Sequence, residues 1–376
     1  MVMLKDKFTP KFPALFKQPL LQFYISSINN IRPFFTEEVP QVVGSEIPKN
    51  EEGPLLWLVQ HQSWNDIINL GRAWYEVGSP KLRAMARSDY FPKNPLASAL
   101  ARNLMSGSGV FQIIYREDER EKYSAKKAEE KSQKNKDIMS EMAREFSKGL
   151  HGVILPEGTS KTSGRVSEIK SGCYHVARTE IPCISVGNTY DFLSTSSPKK
   201  DLVFLKFGEV FQHEPVEGLP NESLEEYTRR DKESFIQKVR RDFIKLNTIT
   251  TSQLGGLHFY ENAANLNSKT SLEELEDSIT NRVHKLRALE EVTLDNALLD
   301  VDARTKRIRN FYQNLSKLGY FNLEGDEIRM SLGRLLEEPK SLESYRKENP
   351  LLFSTNKLLE VAEEFPKIRK ALAYFK

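Results

Sequence analysis

Short apolar runs recur along the chain up to about residue 210, and most of them are separated by stretches with helical patterns. The run Leu55–Val59 is continuously apolar, which is typical of a strand covered on both faces. Strands that alternate with helices predict an α/β fold, with a central, mostly parallel sheet flanked by helices. The nearly all-polar stretch 117–148 predicts a solvent-facing helix. The predicted strands are 42–44, 55–59, 81–86, 110–115, 153–155, 184–186 and 202–207.

The pattern changes on both sides of this region. Between Phe12 and Phe35, apolar residues are spaced three or four apart with basic residues among them, which predicts an amphipathic helix. Such a helix either packs on the core or lies on a membrane surface, and the pattern alone does not separate the two. From about Asn262 the strand patterns stop and long helical patterns follow. We therefore predict an N-terminal amphipathic helical segment (1–40), an α/β domain (41–261) and a C-terminal helical domain of unknown role (262–376).

Composition narrows the class of protein. The sequence has 55 basic and 52 acidic residues and a net charge of +3, so no overall positive field suggests a nucleic-acid partner. Cys173 and Cys183 are the only cysteines and form no C-x-x-C pair, which is typical of a reducing cytoplasm and argues against a thiolate metal site. No signal peptide is recognisable, and no apolar run approaches the ~20 residues of a membrane-spanning helix. We expect a cytoplasmic protein whose contact with a bilayer, if any, is peripheral and on the inner face of a membrane.

The first candidate for chemistry is the segment His61–Asp66, which follows the apolar run 55–59. Ser63 and Asp66 have the S-x-x-D spacing of a helix-capping box, so a helix is predicted from Ser63. With His61 just outside that helix and Asp66 in its first turn, the carboxylate can reach an imidazole nitrogen. The other nitrogen is then placed to take a proton from an attacking hydroxyl. Taken alone, the segment is explained at least as well by a capping carboxylate beside an edge histidine.

Other predicted strands also end in polar or turn residues. Arg116 follows the strand 110–115, and the segment Pro156–Thr159 follows the strand 153–155, with Lys161 and Arg165 beyond it. A parallel sheet usually builds its site at the carboxyl ends of its strands. The sequence therefore predicts one site near His61 that also contains cationic side chains.

These segments, in this order, resemble the four sequence blocks of the glycerolphosphate and lysophospholipid acyltransferase family. The first block has the form N-H-x-S-x-x-D, and His61, Ser63 and Asp66 match it while Gln60 replaces the usual asparagine. The resemblance covers about residues 42–210.

The remaining three blocks also have counterparts. A glycine, an apolar strand and an arginine are matched by Gly109–Arg116, and F-P-E-G-T-R-S by Leu155–Lys161. The fourth block, a Val-Pro or Ile-Pro step before a strand, is matched by Ile181-Pro182. One departure concerns the third block, whose usual arginine is Ser160 here. A serine cannot supply a charge-assisted fork to a phosphate, so Lys161 or Arg165 would have to provide the charge.

The resemblance implies an O-acyltransferase of phospholipid biosynthesis, with residues 41–261 as its acyltransferase domain. His61, oriented by Asp66, would deprotonate a hydroxyl of glycerol 3-phosphate or a lysophospholipid, which attacks the thioester of acyl-CoA or acyl carrier protein directly. No cofactor or metal is expected, because a thioester is already activated and His61 with Asp66 would make only a two-ligand site. Substrate would be bound by residues of the second and third blocks, namely Arg116, Glu157, Gly158, Thr159, Lys161 and Arg165.

Two other functions stay open on the sequence. A lipid hydrolase with Ser63 as nucleophile is one, although the chain lacks the G-x-S-x-G elbow of such enzymes. A non-catalytic lipid-binding or membrane-scaffold protein that relies on its C-terminal region is the other, and the presence of both His61 and Asp66 argues against it.

Overall fold

The computed structural model describes residues 36, 38–63, 66–78, 82–87, 111–114, 124–146, 148–197, 200–265, 269–324 and 327–373. The predicted amphipathic helix between Phe12 and Phe35 lies outside these residues, as does Arg116.

A seven-stranded sheet forms the centre of the described structure. Its order is β1-β7-β6-β2-β5-β3-β4, and all neighbouring strands run parallel except β6 and β7. The predicted α/β fold with a mostly parallel sheet is therefore confirmed. The strands are β1 (Gln41–Val43), β2 (Leu56–Val59), β3 (Leu82–Arg87), β4 (Phe111–Ile114), β5 (His151–Ile154), β6 (Cys183–Asp191) and β7 (Leu202–Phe211).

The middle strand, β2, is the most enclosed part of the sheet. All four of its side chains are buried, as its continuous apolar run predicted, and Trp57 packs edge-on against Phe207 with ring centroids 5.3 Å apart. Strand β6 extends beyond the apolar residues that predicted it, to Asp191. Its last residues are polar yet fully buried, so a hydropathy pattern ends before the strand does.

Helices cover the sheet. The short helix α1 (Glu46–Asn50) follows β1, α2 (Asp66–Glu76) follows β2, α3 (Ala125–Phe146) precedes β5, and α4 (Gly172–Ala177) precedes β6. Only Ala128, Met142 and Phe146 of α3 are buried, in agreement with a solvent-facing helix. Helix α5 (Leu224–Lys245) follows β7 and begins with a capping box between Ser223 and Glu226.

The C-terminal region is mainly helical, as predicted, and continues the hydrophobic core of the sheet. The predicted boundary at 261–262 falls inside α6 (Thr251–Ala264), which packs against α12 (Pro350–Glu364). The other helices are α7 (Leu272–Arg287), α8 (Asn296–Leu299), α9 (Val301–Lys317), α10 (Leu332–Leu335), α11 (Tyr345–Glu348) and α13 (Pro366–Leu372).

The expectation that strands stop at about Asn262 is wrong. Three short strands, β9 (Lys269–Ser271), β11 (Phe321–Glu324) and β12 (Glu327–Met330), form an antiparallel sheet. A further two-stranded pair joins β8 (Thr248–Ile249) and β10 (Thr293–Leu294). Strands of two to four residues are too short to show a periodic pattern of apolar residues, so hydropathy does not predict them.

Across the part of the chain described, no helix combines the length and the apolar character that crossing a membrane requires.

Candidate active site

His61 and Asp66 meet at the carboxyl end of the middle strand of the sheet. His61 follows β2 and Asp66 begins α2, and the distance from His61 Nδ1 to Asp66 Oδ2 is 2.8 Å. Both residues are buried, with exposures of 2% and 1%. The carboxylate therefore reaches the imidazole, as the spacing suggested, while the catalytic role of the pair stays a prediction. Because a carboxylate only accepts hydrogen bonds, Nδ1 carries the hydrogen of the neutral ring and Nε2 is the basic nitrogen.

Asp66 is held by hydrogen bonds on both of its oxygens. Its Oδ2 also accepts from the backbone N–H groups of Gln62 (2.7 Å) and Ser63 (2.9 Å). The bond from Ser63 is the carboxylate half of the expected capping box, so Asp66 serves the helix and the histidine at once. Its Oδ1 accepts from Asn188 Nδ2 at 2.7 Å and from the Tyr190 hydroxyl. These contacts fix the direction of the carboxylate toward the ring.

Strand β6 supplies the second half of this network. Burial raises the pKa of Tyr190 well above its usual value, so its phenol is a neutral donor to Asp66. The backbone N–H of Asn188 donates to Gln60 Oε1 at 3.3 Å, which gives the residue at the family's usual asparagine position a structural partner. Among the described residues, Gln60 Nε2, Gln62 Nε2 and Asn188 Oδ1 are buried without a hydrogen-bond partner. These three polar atoms therefore lie beside the pair with unused hydrogen-bonding capacity within the described residues.

Glu157 joins the loop after β5 to the backbone of the histidine. Its Oε2 accepts from His61 N at 2.5 Å, and its Oε1 accepts from Ser167 N at 2.8 Å. Burial raises the pKa of this carboxyl to about 8, against the opposing effect of the two hydrogen bonds. Glu157 therefore holds the position of the His61 backbone, while its role in substrate binding stays a prediction. Gly158 follows with a φ of +62°, a left-handed conformation that favours glycine.

The two predicted cations that the structure describes are paired with acids of the C-terminal region. The Lys161 ammonium forms an ion pair with Glu343. The Arg165 guanidinium makes two hydrogen bonds to Glu363, at 2.6 and 2.7 Å. Thr159 turns its hydroxyl to the loop itself, where it accepts from Lys161 N at 3.2 Å. The structure thus brings Lys161 and Arg165 onto the same loop as Glu157, with carboxylates in contact with both.

Comparison with known proteins assigns part of the chain to a family. The family model named Acyltransferase matches residues 36–188, a segment that contains His61, Asp66 and Glu157. Residues 36–188 form an acyltransferase domain. The match confirms the expectation of an acyltransferase domain over this segment.

Other comparisons add less. A crystal structure of the 1-acyl-sn-glycerophosphate (LPA) acyltransferase PlsC from Thermotoga maritima aligns with 60% of this chain and 79% of that chain, at 15% identity and a TM-score of 0.35. A search of curated proteins finds no match. Residues 189–376 lie outside the family match.

A lysine from outside the matched segment lies within the acyltransferase domain's site. Lys357 of α12 is buried, and its Nζ donates to Gln62 Oε1 at 3.0 Å and to the backbone carbonyl of Asn188 at 2.7 Å. Burial lowers the pKa of this ammonium to about 7, and nearby carboxylates, led by Glu157, oppose that shift. The sequence analysis missed this residue. Its one signal in the sequence is its spacing of four residues from both Phe353 and Val361, which places it on the apolar face of a helix.

Helix α12 also covers the loop of the acyltransferase domain that follows Glu157. Asn356 Nδ2 donates to the carbonyl of Ser163 at 2.9 Å, and Glu360 Oε2 accepts from Val166 N at 2.8 Å. At Gly164, whose φ is +100°, an added Cβ would lie 1.9 Å from the carbonyl oxygen of Phe353. The helix and the loop are in direct backbone contact there.

Proposed function

We propose that this protein transfers a fatty acyl group from an acyl thioester to a hydroxyl of a phosphate-bearing glycerolipid acceptor, with His61 as the general base. The acceptor class is glycerol 3-phosphate or a lysophospholipid of the 1-acylglycerol 3-phosphate type, and the donor is acyl-CoA or acyl carrier protein. The observation that carries the proposal is the buried His61–Asp66 hydrogen bond of 2.8 Å at the end of β2, inside an acyltransferase domain.

The proposed reaction follows from the direction of the hydrogen bond between His61 and Asp66, which leaves Nε2 as the basic nitrogen. His61 Nε2 takes the proton of the acceptor hydroxyl as its oxygen attacks the thioester carbonyl. The imidazolium that forms is stabilised by Asp66, whose position is fixed by Gln62, Ser63 and Asn188. The tetrahedral intermediate then expels the thiolate, which receives the proton from His61 and leaves as a free thiol. No acyl-enzyme is formed, and no external oxidant or metal enters the balance.

Acceptor binding is assigned to the loop that carries Glu157. Arg165 and Lys161 would neutralise the acceptor phosphate, and Arg116 would join them from the end of β4. The pair between Arg165 and Glu363 is half-exposed, with side-chain exposures of 37% and 54%. Ion pairs of this kind contribute only about 0–1 kcal/mol, so a dianionic phosphate is able to compete with Glu363. Contact with a membrane surface, peripheral and on its inner face, is part of the proposal because the acylated product, and a lysophospholipid acceptor, are lipids.

The decisive experiment compares purified wild-type protein with His61→Ala. Mass spectrometry follows acyl transfer from a panel of acyl-CoA and acyl carrier protein donors to glycerol 3-phosphate and several lysophospholipids. We expect His61→Ala to lower turnover by at least about 10³-fold while the fold persists, because the variant lacks the imidazole that is proposed to take the proton.

The matched control is His284→Ala, since His284 is an exposed histidine on α7. It should transfer acyl groups at the wild-type rate. Unchanged turnover in His61→Ala contradicts the proposal. Release of free fatty acid without any acceptor identifies a hydrolase, and lipid binding without turnover in the wild type identifies a scaffold protein.

A further inference from the structure

Lys357 contacts two of the four residues that, together with His61, donate hydrogen bonds to the carboxylate of Asp66. Its Nζ donates to the side chain of Gln62 and to the backbone of Asn188. Gln62 in turn donates its backbone N–H to Asp66 Oδ2, and Asn188 donates its amide to Asp66 Oδ1. One ammonium group therefore contacts a hydrogen-bond donor to each oxygen of the carboxylate that orients His61.

The charges around Lys357 come from three elements. Asp66 faces it from α2, Glu157 from the loop after β5, and Glu360 from its own helix. Glu360 is itself paired with Arg240 and accepts from the backbone of Val166. Asp66 and Glu157 have no such guanidinium partner among the described residues.

Packing alone does not explain a lysine at this position. Transfer of an ammonium from water to a buried site is unfavourable, and an apolar side chain of similar volume often stabilises a core more. Lys357 is nevertheless buried, with 4% of its surface exposed, between the apolar residues Phe353 and Val361. What the lysine adds over an apolar residue is its two hydrogen bonds and its positive charge near the carboxylate of Asp66.

We propose that Lys357 is a positioning residue for acyl transfer, which fixes Asp66 through Gln62 and Asn188 and balances the negative charge beside His61. The inference rests on the proposed function and extends it: helix α12, outside the segment matched by the family, completes the active site.

Two variants test this proposal. Lys357→Met removes both the charge and the donors at nearly constant volume, and Lys357→Gln keeps a donor without the charge. The control is Lys367→Met on the next helix, α13, since the Lys367 side chain is 75% exposed. Circular dichroism and thermal unfolding are recorded for every variant, because removal of one partner from a buried charge network destabilises a fold.

We expect Lys357→Met to lower kcat by at least about tenfold with KM changed by less than about twofold, since the lysine contacts no substrate. The acid limb of the kcat profile should also move up by about one pH unit, because loss of a nearby positive charge favours a proton on the His61–Asp66 pair. Lys357→Gln should show the same shift with a smaller loss of kcat. Lys367→Met should change neither quantity. A fold that is destabilised but keeps the wild-type kcat and pH profile would show that Lys357 only anchors α12, and would overturn the proposal.

A measurement independent of turnover separates this inference from the proposed function. The imidazole of His61 is followed by ¹⁵N nuclear magnetic resonance during a pH titration of wild type and both lysine variants, with His61→Ala used to assign its signal. A midpoint that rises in both variants supports the inference even where no acyl acceptor is found. An unchanged midpoint contradicts it even in an enzyme that transfers acyl groups, while failure of wild type to transfer them contradicts the proposed function alone.

Discussion

Two parts of the candidate site differ in how they are held. The part assigned to proton transfer, with His61, Asp66 and Glu157, is buried and bound by hydrogen bonds on almost every side. The part assigned to the acceptor phosphate, with Lys161 and Arg165, is half-exposed and forms ion pairs with glutamates of the C-terminal region. The hydrogen bonds of the first part hold its side chains in place, whereas the second part has to exchange one anion for another when a phosphate binds. The residues assigned to proton transfer are thus held by many hydrogen bonds, while those assigned to ligand binding make ion pairs that a ligand is able to replace.

The largest effect on kcat is expected from Asp66→Asn, which tests whether the buried part of the site serves proton transfer. An amide would keep the size of the side chain but cannot stabilise the imidazolium, and it disturbs the donors on both oxygens. We expect kcat to fall by about 10²–10⁴-fold. Steady-state kinetics measure this, with Asp302→Asn, an exposed position on α9, as the control. A variant within a few-fold of wild type would mean that the buried network is a structural cap and no more.

The next effect concerns stability and pH. Because the pKa of Glu157 is raised to about 8 in the folded state from 4.5, the folded protein binds a proton here that the unfolded chain releases between these values. Stability contributed by this group is therefore greatest at low pH and falls as the pH rises through that window. From pH 5 to pH 7 wild type should lose about 2–3 kcal/mol relative to Glu157→Gln.

Urea unfolding at pH 5, 6 and 7 measures this difference. The window stays at or below the pKa of about 7 of Lys357, so that the lysine adds little to the slope. Glu168→Gln, at an exposed carboxylate of the same loop, is the control and should run parallel to wild type. Parallel curves for wild type and Glu157→Gln would mean that the buried carboxyl is ionised throughout.

The smallest effects belong to the half-exposed part. Arg165→Met should raise KM for the acceptor by about tenfold, the loss of one charged contact to phosphate, with kcat nearly unchanged. Glu363→Gln frees the guanidinium and should lower the same KM by about two- to threefold. Kinetics with a phosphate-bearing and a phosphate-free acceptor measure both, and Glu364→Gln, the neighbour paired with Arg241, is the control. Equal effects on the two acceptors would show that Arg165 does not meet the phosphate.

Much of the fold and part of the site could be predicted from local patterns. The strands of the large sheet follow from short apolar runs, and His61 and Asp66 are close because only five positions of chain separate them. Glu157 and Arg165 were found because they lie in one short segment with a recognisable order of residues. Each of these predictions depends only on residues that are close together in the sequence.

The remaining parts depend on contacts that no local pattern encodes. Lys357 meets Gln62 across 295 positions, and Glu363 meets Arg165 across 198. Tyr190 and Asn188 belong to a polar strand end that a hydropathy pattern does not separate from a loop. The sequence shows which side chains these residues carry. Their contact partners are set by the packing of α12 and β6.

Gly164 shows how closely two segments that are distant in the sequence depend on each other. A single methyl group at this position would meet the main chain of Phe353, so even alanine would push α12 away from the loop. A chimaera that joins this acyltransferase domain to another protein's C-terminal region would have to preserve that fit to keep Lys357 beside Asp66. The two segments, distant in the gene, are thus expected to accept mutations only as a pair.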